Sequence, residues 1–153
     1  MFTSVADLKD KDALLHIYNQ VLPPLAERIY QNLTDITPLF DDFGLEKVVD
    51  TWTRDRNARS EKEISLENGN VSRMGLRLRL NGFQKAGANA FDLSKDLLFR
   101  METTWYEVGP DQQTTWLQKM YFQPWTAAEF TDIADQWVES LMDDLTQQIQ
   151  SLS

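Results

Sequence analysis

The chain has 153 residues, of which 42% are hydrophobic and 25% charged, with a formal net charge of −9. That composition is globular, and the length suffices to bury about 70% of the unfolded surface, enough for a core without covalent staples. With no cysteine and one histidine, the chain excludes disulfide frameworks, thiol catalysis, cysteine-ligated zinc and any site needing two imidazoles.

Ser4-Val5-Ala6-Asp7 has the form of a helix cap, and Leu8, Leu14, Leu15, Tyr18, Val21 and Leu22 approximate a helical stripe. Pro23-Pro24 is expected to interrupt it, because proline removes a backbone donor and disfavours helix in the preceding residue. Leu25, Ile29, Tyr30 and Leu33 restart the stripe. Thr37-Pro38 predicts a short helix closed by Gly44, and Leu45, Val48, Val49 and Trp52 read as one more helical face.

The middle of the chain reads as β. Segments from Glu61 to Glu67 and from Val71 to Leu80 flank Asn68-Gly69, a strong hairpin signal. The second segment alternates, with Met74, Leu76, Leu78 and Leu80 on one face and Arg73, Arg77 and Arg79 on the other. Asn81-Gly82 predicts another reversal, into Phe83-Gln84-Lys85, and the stretch from Ala86 to Leu93 reads as loop. A long strand is expected from Leu97 to Val108, with Phe99, Met101 and Trp105 sharing a face. Gly109-Pro110-Asp111 turns the chain, and Thr115 to Gln123 returns as a strand.

The last element is the clearest. Thr126-Ala127-Ala128-Glu129 is a capping box, in which the hydroxyl and the carboxylate each accept from the other residue's backbone N–H. Behind it Phe130, Ile133, Trp137, Leu141, Leu145, Ile149 and Leu152 recur every three or four residues. Asp132, Asp135, Glu139 and Asp143 fall largely off that stripe. The whole chain, 1–153, is read as one α+β domain: N-terminal helices, a four- or five-stranded antiparallel meander, and a long amphipathic C-terminal helix packed on the sheet.

Charge is unevenly distributed. Residues 54–100 carry 10 basic and 6 acidic side chains, whereas Tyr121 to Ser153 carry 6 acids and no lysine or arginine. The overall acidity opposes nucleic-acid binding. The N-terminal residues lack a basic segment followed by an apolar one, and no apolar run approaches the roughly 20 residues of a membrane span. A cytoplasmic protein without membrane association is expected, as a monomer or homodimer and with no cofactor.

Few residues point to chemistry. His16 has no neighbouring nucleophile or orienting carboxylate in the pattern and reads as a surface residue. Asp41-Asp42 and Asp143-Asp144 are adjacent pairs, and on a helix neighbours diverge by about 100°, so neither is a ready dyad. No phosphate-cradling glycine motif and no nucleophile elbow is present. Arg73, Arg77 and Arg79, with Arg54, Arg56 and Arg59 upstream, form either a cationic face for an anionic ligand or acidic partner, or a face neutralised by cross-strand pairs with Glu61, Glu63, Glu67 or Glu102 or by an acidic helix lying over it. Trp105, Trp116 and Trp137 either fill the core or line an apolar pocket.

The first expectation is therefore a non-enzymatic interaction module, of adaptor, small-chaperone or inhibitor type. It would dock a basic protein partner on Asp132, Asp135, Glu139 and Asp143. The alternative is a small-molecule binding domain, with an apolar pocket lined by Trp105, Trp116 and Trp137 between sheet and C-terminal helix and with Arg73, Arg77 and Arg79 at its mouth. An enzyme working through carboxylate or tyrosine chemistry is the third reading, and no catalytic residue is assigned to it.

Overall fold

A computed structural model describes residues 9–49, 66, 69, 71–84 and 89–151. The cap expected at Ser4–Asp7, Leu8, Trp52, Arg54, Arg56, Arg59, the strand from Glu61 and the turn residues Asn68 and Asn70 lie outside the described residues, as do 85–88 of the expected loop and Leu152.

The chain opens with α1 (Lys11–His16), capped by Asp10, whose carboxylate accepts from the Ala13 N–H at 2.8 Å. The double proline does not break the helix. A π-helical turn over Ile17–Val21 carries the chain directly into α2 (Leu22–Gln31), with the prolines in its first turn. There the Leu22 N–H reaches back to the Ile17 carbonyl. Pro23 and Pro24 would otherwise leave the carbonyls of Asn19 and Gln20 without donors, but both residues are exposed, so water can serve them. Ile17, Val21, Leu22, Leu25 and Ile29 keep one buried stripe across the join.

The helix expected at Thr37–Gly44 is one 3-10 turn, Thr37–Leu39, and the expected helical face beyond it is strand β1 (Phe40–Val49). Leu45, Val48 and Val49 do have helical spacing, but pairing along β2 supplies every second backbone group with a partner, and Gly44 stands mid-strand opposite Arg79. Phe43, Leu45, Lys47 and Val49 lie on the helix side. Lys47 Nζ sits 4.0 Å above the Tyr18 ring.

Strand β2 (Arg73–Phe83) runs straight through Asn81-Gly82 instead of reversing there. Gly82 takes φ 71° within the strand, and a Cβ on it would lie 2.9 Å from that of Asp41. Glycine serves here for close approach between strands rather than for a turn. Leu76, Leu78, Leu80 and Met74 are fully buried, as the alternation requires.

The long strand expected from Leu97 to Val108 is two strands, β3 (Leu93–Met101) and β4 (Trp105–Gly109), joined by a tight turn in which the Glu102 N–H donates to Trp105 O at 2.8 Å. The turn changes the parity of everything after it. Met101 pairs with Tyr106 and Phe99 with Val108, so Tyr106 and Val108 face the core and Trp105 faces away. Strand β5 is shorter than expected, Leu117–Met120. The sheet order is β1-β2-β3-β4-β5, antiparallel throughout.

Helix α3 (Ala127–Ser151) crosses the same sheet face as the N-terminal helices. Its capping box forms as expected: the Thr126 N–H donates to Glu129 Oε1 at 2.8 Å, and the Glu129 N–H to Thr126 Oγ1 at 3.1 Å. Trp137, Leu141, Ile133 and Leu145 enter the core between α2 and the sheet. The molecule is an α+β fold with helices on one sheet face. Among the described residues, no helix is long and apolar enough to cross a membrane.

Candidate functional site

Asp132, Asp135, Glu139 and Asp143 are all exposed on the side of α3 turned from the sheet. Their spacings of three and four residues place them in one row. Among the described residues none of them enters an ion pair. Asp135 accepts from Asn32 Nδ2 at 2.8 Å, which ties the row's middle to the end of α2. Acids nearer the sheet are spent internally. Asp144 takes Lys95 Nζ at 2.7 Å, and Glu129 takes the buried Lys119 Nζ at 2.6 Å. The Lys119 hydrogen bond, with help from the Thr126 cap, holds the Glu129 carboxyl below its ordinary pKa.

Arg73, Arg77 and Arg79 do share the sheet face away from the helices, but they differ in their surroundings. Arg77 makes a bidentate pair with Asp96, Nε to Oδ1 at 2.8 Å and Nη2 to Oδ2 at 3.1 Å, and that hydrogen bonding raises the guanidinium pKa. Arg79 meets Glu46 at 3.1 Å near the surface. Asp96 and Glu46 belong to the neighbouring strands, and neither was among the acids expected as partners. Arg73 stands opposite Arg100 of β3, so two cations face each other across the ladder.

Arg100 is the residue the sequence pattern did not single out. Its Nη2 donates to Thr114 O at 2.9 Å and Thr115 Oγ1 at 2.6 Å and reaches Glu107 Oε1 at 3.4 Å. Glu107 also accepts from Thr115 Oγ1 at 2.6 Å and from Trp105 Nε1 at 3.0 Å, and these bonds depress its pKa. Strand parity alone places Arg100 with Asp96 on one face of β3; the meeting with Arg73 and Glu107 depends on register.

The three tryptophans do not gather. Trp137 is fully buried beneath the sheet and donates to Asp96 O at 3.1 Å. Trp105 lies on the opposite face, bonded to Glu107, because of the parity change at the β3–β4 turn. Trp116 closes the loop after Pro110, its N–H donating to Val108 O at 2.7 Å. The space between sheet and α3 is filled by Trp125, Tyr106, Phe99 and Phe130. Trp125 Nε1 donates to the Tyr106 hydroxyl at 2.7 Å and its ring stacks on Phe130 with centroids 5.0 Å apart. Burial pushes the Tyr106 phenol up to about 12.

His16 is half-buried with its ring 5.0 Å from that of Phe122. Among the described residues no three His, Cys, Asp or Glu side chains are grouped to hold a metal ion. No family model, curated protein or solved structure matches this chain.

Proposed function

We propose that the protein is a non-enzymatic interaction module that docks on a basic protein partner through the outer row of α3. The observation carrying this reading is the row itself: Asp132, Asp135, Glu139 and Asp143 are exposed and outside any described ion pair, on a segment without lysine or arginine after Lys119. A helix of 25 residues anchored along its other side by Trp137, Leu141 and Leu145 presents such a row rigidly, which lowers the entropy cost of binding. Rows of like charge on a rigid element steer association and select partners of opposite charge. The cytoplasm is the compartment proposed for it.

The test is native mass spectrometry of the protein purified gently from its source, beside the variant Asp135→Lys/Glu139→Lys/Asp143→Lys. A protein-sized adduct that is lost as salt rises, and that is absent from the triple variant, is the expected result. An adduct that persists unaltered in the triple variant ends this reading.

A further inference from the structure

Strand β1 forms one edge of the sheet, and among the described residues no strand pairs with its outer side. At ten residues it is long for an exposed edge. We propose that this edge pairs antiparallel with the same strand of a second copy of the chain, in a two-fold dimer centred on Gly44.

The residues of β1 are arranged symmetrically about Gly44. Apolar side chains stand one and four positions away on each side, Phe43 with Leu45 and Phe40 with Val48. Acids stand two positions away, Asp42 and Glu46, and opposite charges three away, Asp41 and Lys47. A two-fold contact sets residue i against j and j against i. With Gly44 opposite its own mate, Phe43 falls opposite Leu45 of the second copy and Asp41 opposite Lys47, each pairing occurring twice. The strand is also open to such a contact: Asp41, Asp42, Gly44, Glu46 and Lys47 are exposed, and a Cβ at Gly44 would have nothing within 4 Å.

Backbone direction fits the same register. The Met101 N–H donates to Ser72 O at 2.8 Å, so every second residue after Ser72 bonds toward β3 and those between, Arg77 and Arg79 among them, bond toward β1. Their partners Glu46 and Gly44 therefore bond inward, and the N–H and C=O groups of Phe43, Leu45 and Lys47 face the open edge. Lys47 selects the strand that is admitted. Its ammonium lies 4.0 Å over the Tyr18 ring on the helix side, and a charge on the covered side of an edge ordinarily keeps foreign strands away. A second copy brings Asp41 to that lysine, and contact with a ring leaves an ammonium its N–H donors. Asp42 against Glu46 is the unfavourable pair; Arg79, 3.1 Å from Glu46, offsets part of that repulsion. One strand junction is smaller than a standard interface, so a dissociation constant of about 10 to 100 µM is expected.

Sedimentation equilibrium of the full chain, from about 1 to 500 µM, measures the association. Amide hydrogen exchange at both ends of that range shows whether the N–H groups of Phe43, Leu45 and Lys47 slow as it forms. A monomer–dimer equilibrium with those amides protected is expected. Lys47→Glu sets like charges against each other twice and weakens it about tenfold or more. Asp41→Lys/Lys47→Glu restores the affinity to within about threefold, which a general loss of stability in the single variant would not allow. Asp42→Asn removes the like-charge pair and tightens the dimer about threefold or more. None of these residues belongs to the α3 row, so the outcome is independent of that docking face. A chain that stays monomeric throughout overturns the proposal, as does a dimer whose affinity Lys47→Glu leaves unchanged. Protection of the edge amides only when another protein is added assigns the edge to a foreign strand and overturns it equally.

Discussion

Glu129 joins the helix cap to the core, and substitutions there separate the two contributions. Its Oε1 accepts both the Thr126 N–H at 2.8 Å and Lys119 Nζ at 2.6 Å, and the lysine is only 3% exposed. Thr126→Ala removes a cap alone and costs about 1 kcal/mol. Glu129→Gln retains an oxygen able to cap but strands the ammonium, a change that costs about 3 to 5 kcal/mol for a fully buried pair. The Glu129 side chain is 28% exposed and Pro124 O remains 3.0 Å from Nζ, so the cost falls to the bottom of that range or below it, about 2 to 3 kcal/mol. Lys119→Met/Glu129→Gln replaces the charge with a stem of similar length and is expected to recover to within about 1 kcal/mol of wild type.

Urea unfolding of the four proteins reads these differences. With a slope of about 2 kcal/mol per molar, Glu129→Gln lowers the midpoint by about 1 M or slightly more. The pH dependence has a definite sign. Because the folded carboxyl titrates below its ordinary range, its contribution is present at neutral pH and is lost as pH falls through the folded value on the acid side of about 4.5. Glu129→Gln flattens that acid limb. A Glu129→Gln cost no larger than that of Thr126→Ala, together with a double variant no more stable than Glu129→Gln alone, would show that Lys119 does not depend on Glu129.

Gly75 leaves no room for any side chain: a Cβ there would fall 1.9 Å from Leu97 O, a backbone atom of the next strand. Gly75→Ala is expected to destabilise by about 3 kcal/mol or more, seen as a lowered urea midpoint or failure to accumulate folded protein; a near-wild-type midpoint contradicts the β2–β3 approach. Tyr106, raised to about 12, withholds phenolate formation until well above the usual range of tyrosine. Its folded pKa exceeds the unfolded one, so the stability it contributes is complete below about pH 10 and is lost as pH rises through about 12; an absorbance titration in which all tyrosines ionise together near pH 10 refutes this.

Wherever a pattern repeated over enough residues to be self-consistent, it was legible before the fold. The alternation from Arg73 to Leu80 placed four leucine and methionine side chains in the core, and the Thr126–Glu129 box marked the start of α3, because both signals are local and periodic. Short signals misled. Leu45, Val48 and Val49 suit a helix as well as a strand, and only the partner β2 decides between them. The double proline suggested a break, whereas packing of Leu22, Leu25 and Ile29 with the core holds the helix together across a π turn.

The candidate sites divide along the same line. The acidic row of α3 follows from helical spacing alone, and its exposure required only that the opposite stripe be buried. The meeting of Arg100 with Arg73 and Glu107 could not be read, because Arg73 lies far from the other two in sequence and all three come together only through strand register. Likewise Trp105 was assigned to the wrong face by one turn, Glu102 to Trp105, that leaves no strong composition signal. Side-chain direction within an element repeats with its own period and is written in the residues. Which elements touch, and in what register, is a property of long-range pairing, and a single slip of one residue exchanges the core face for the solvent face.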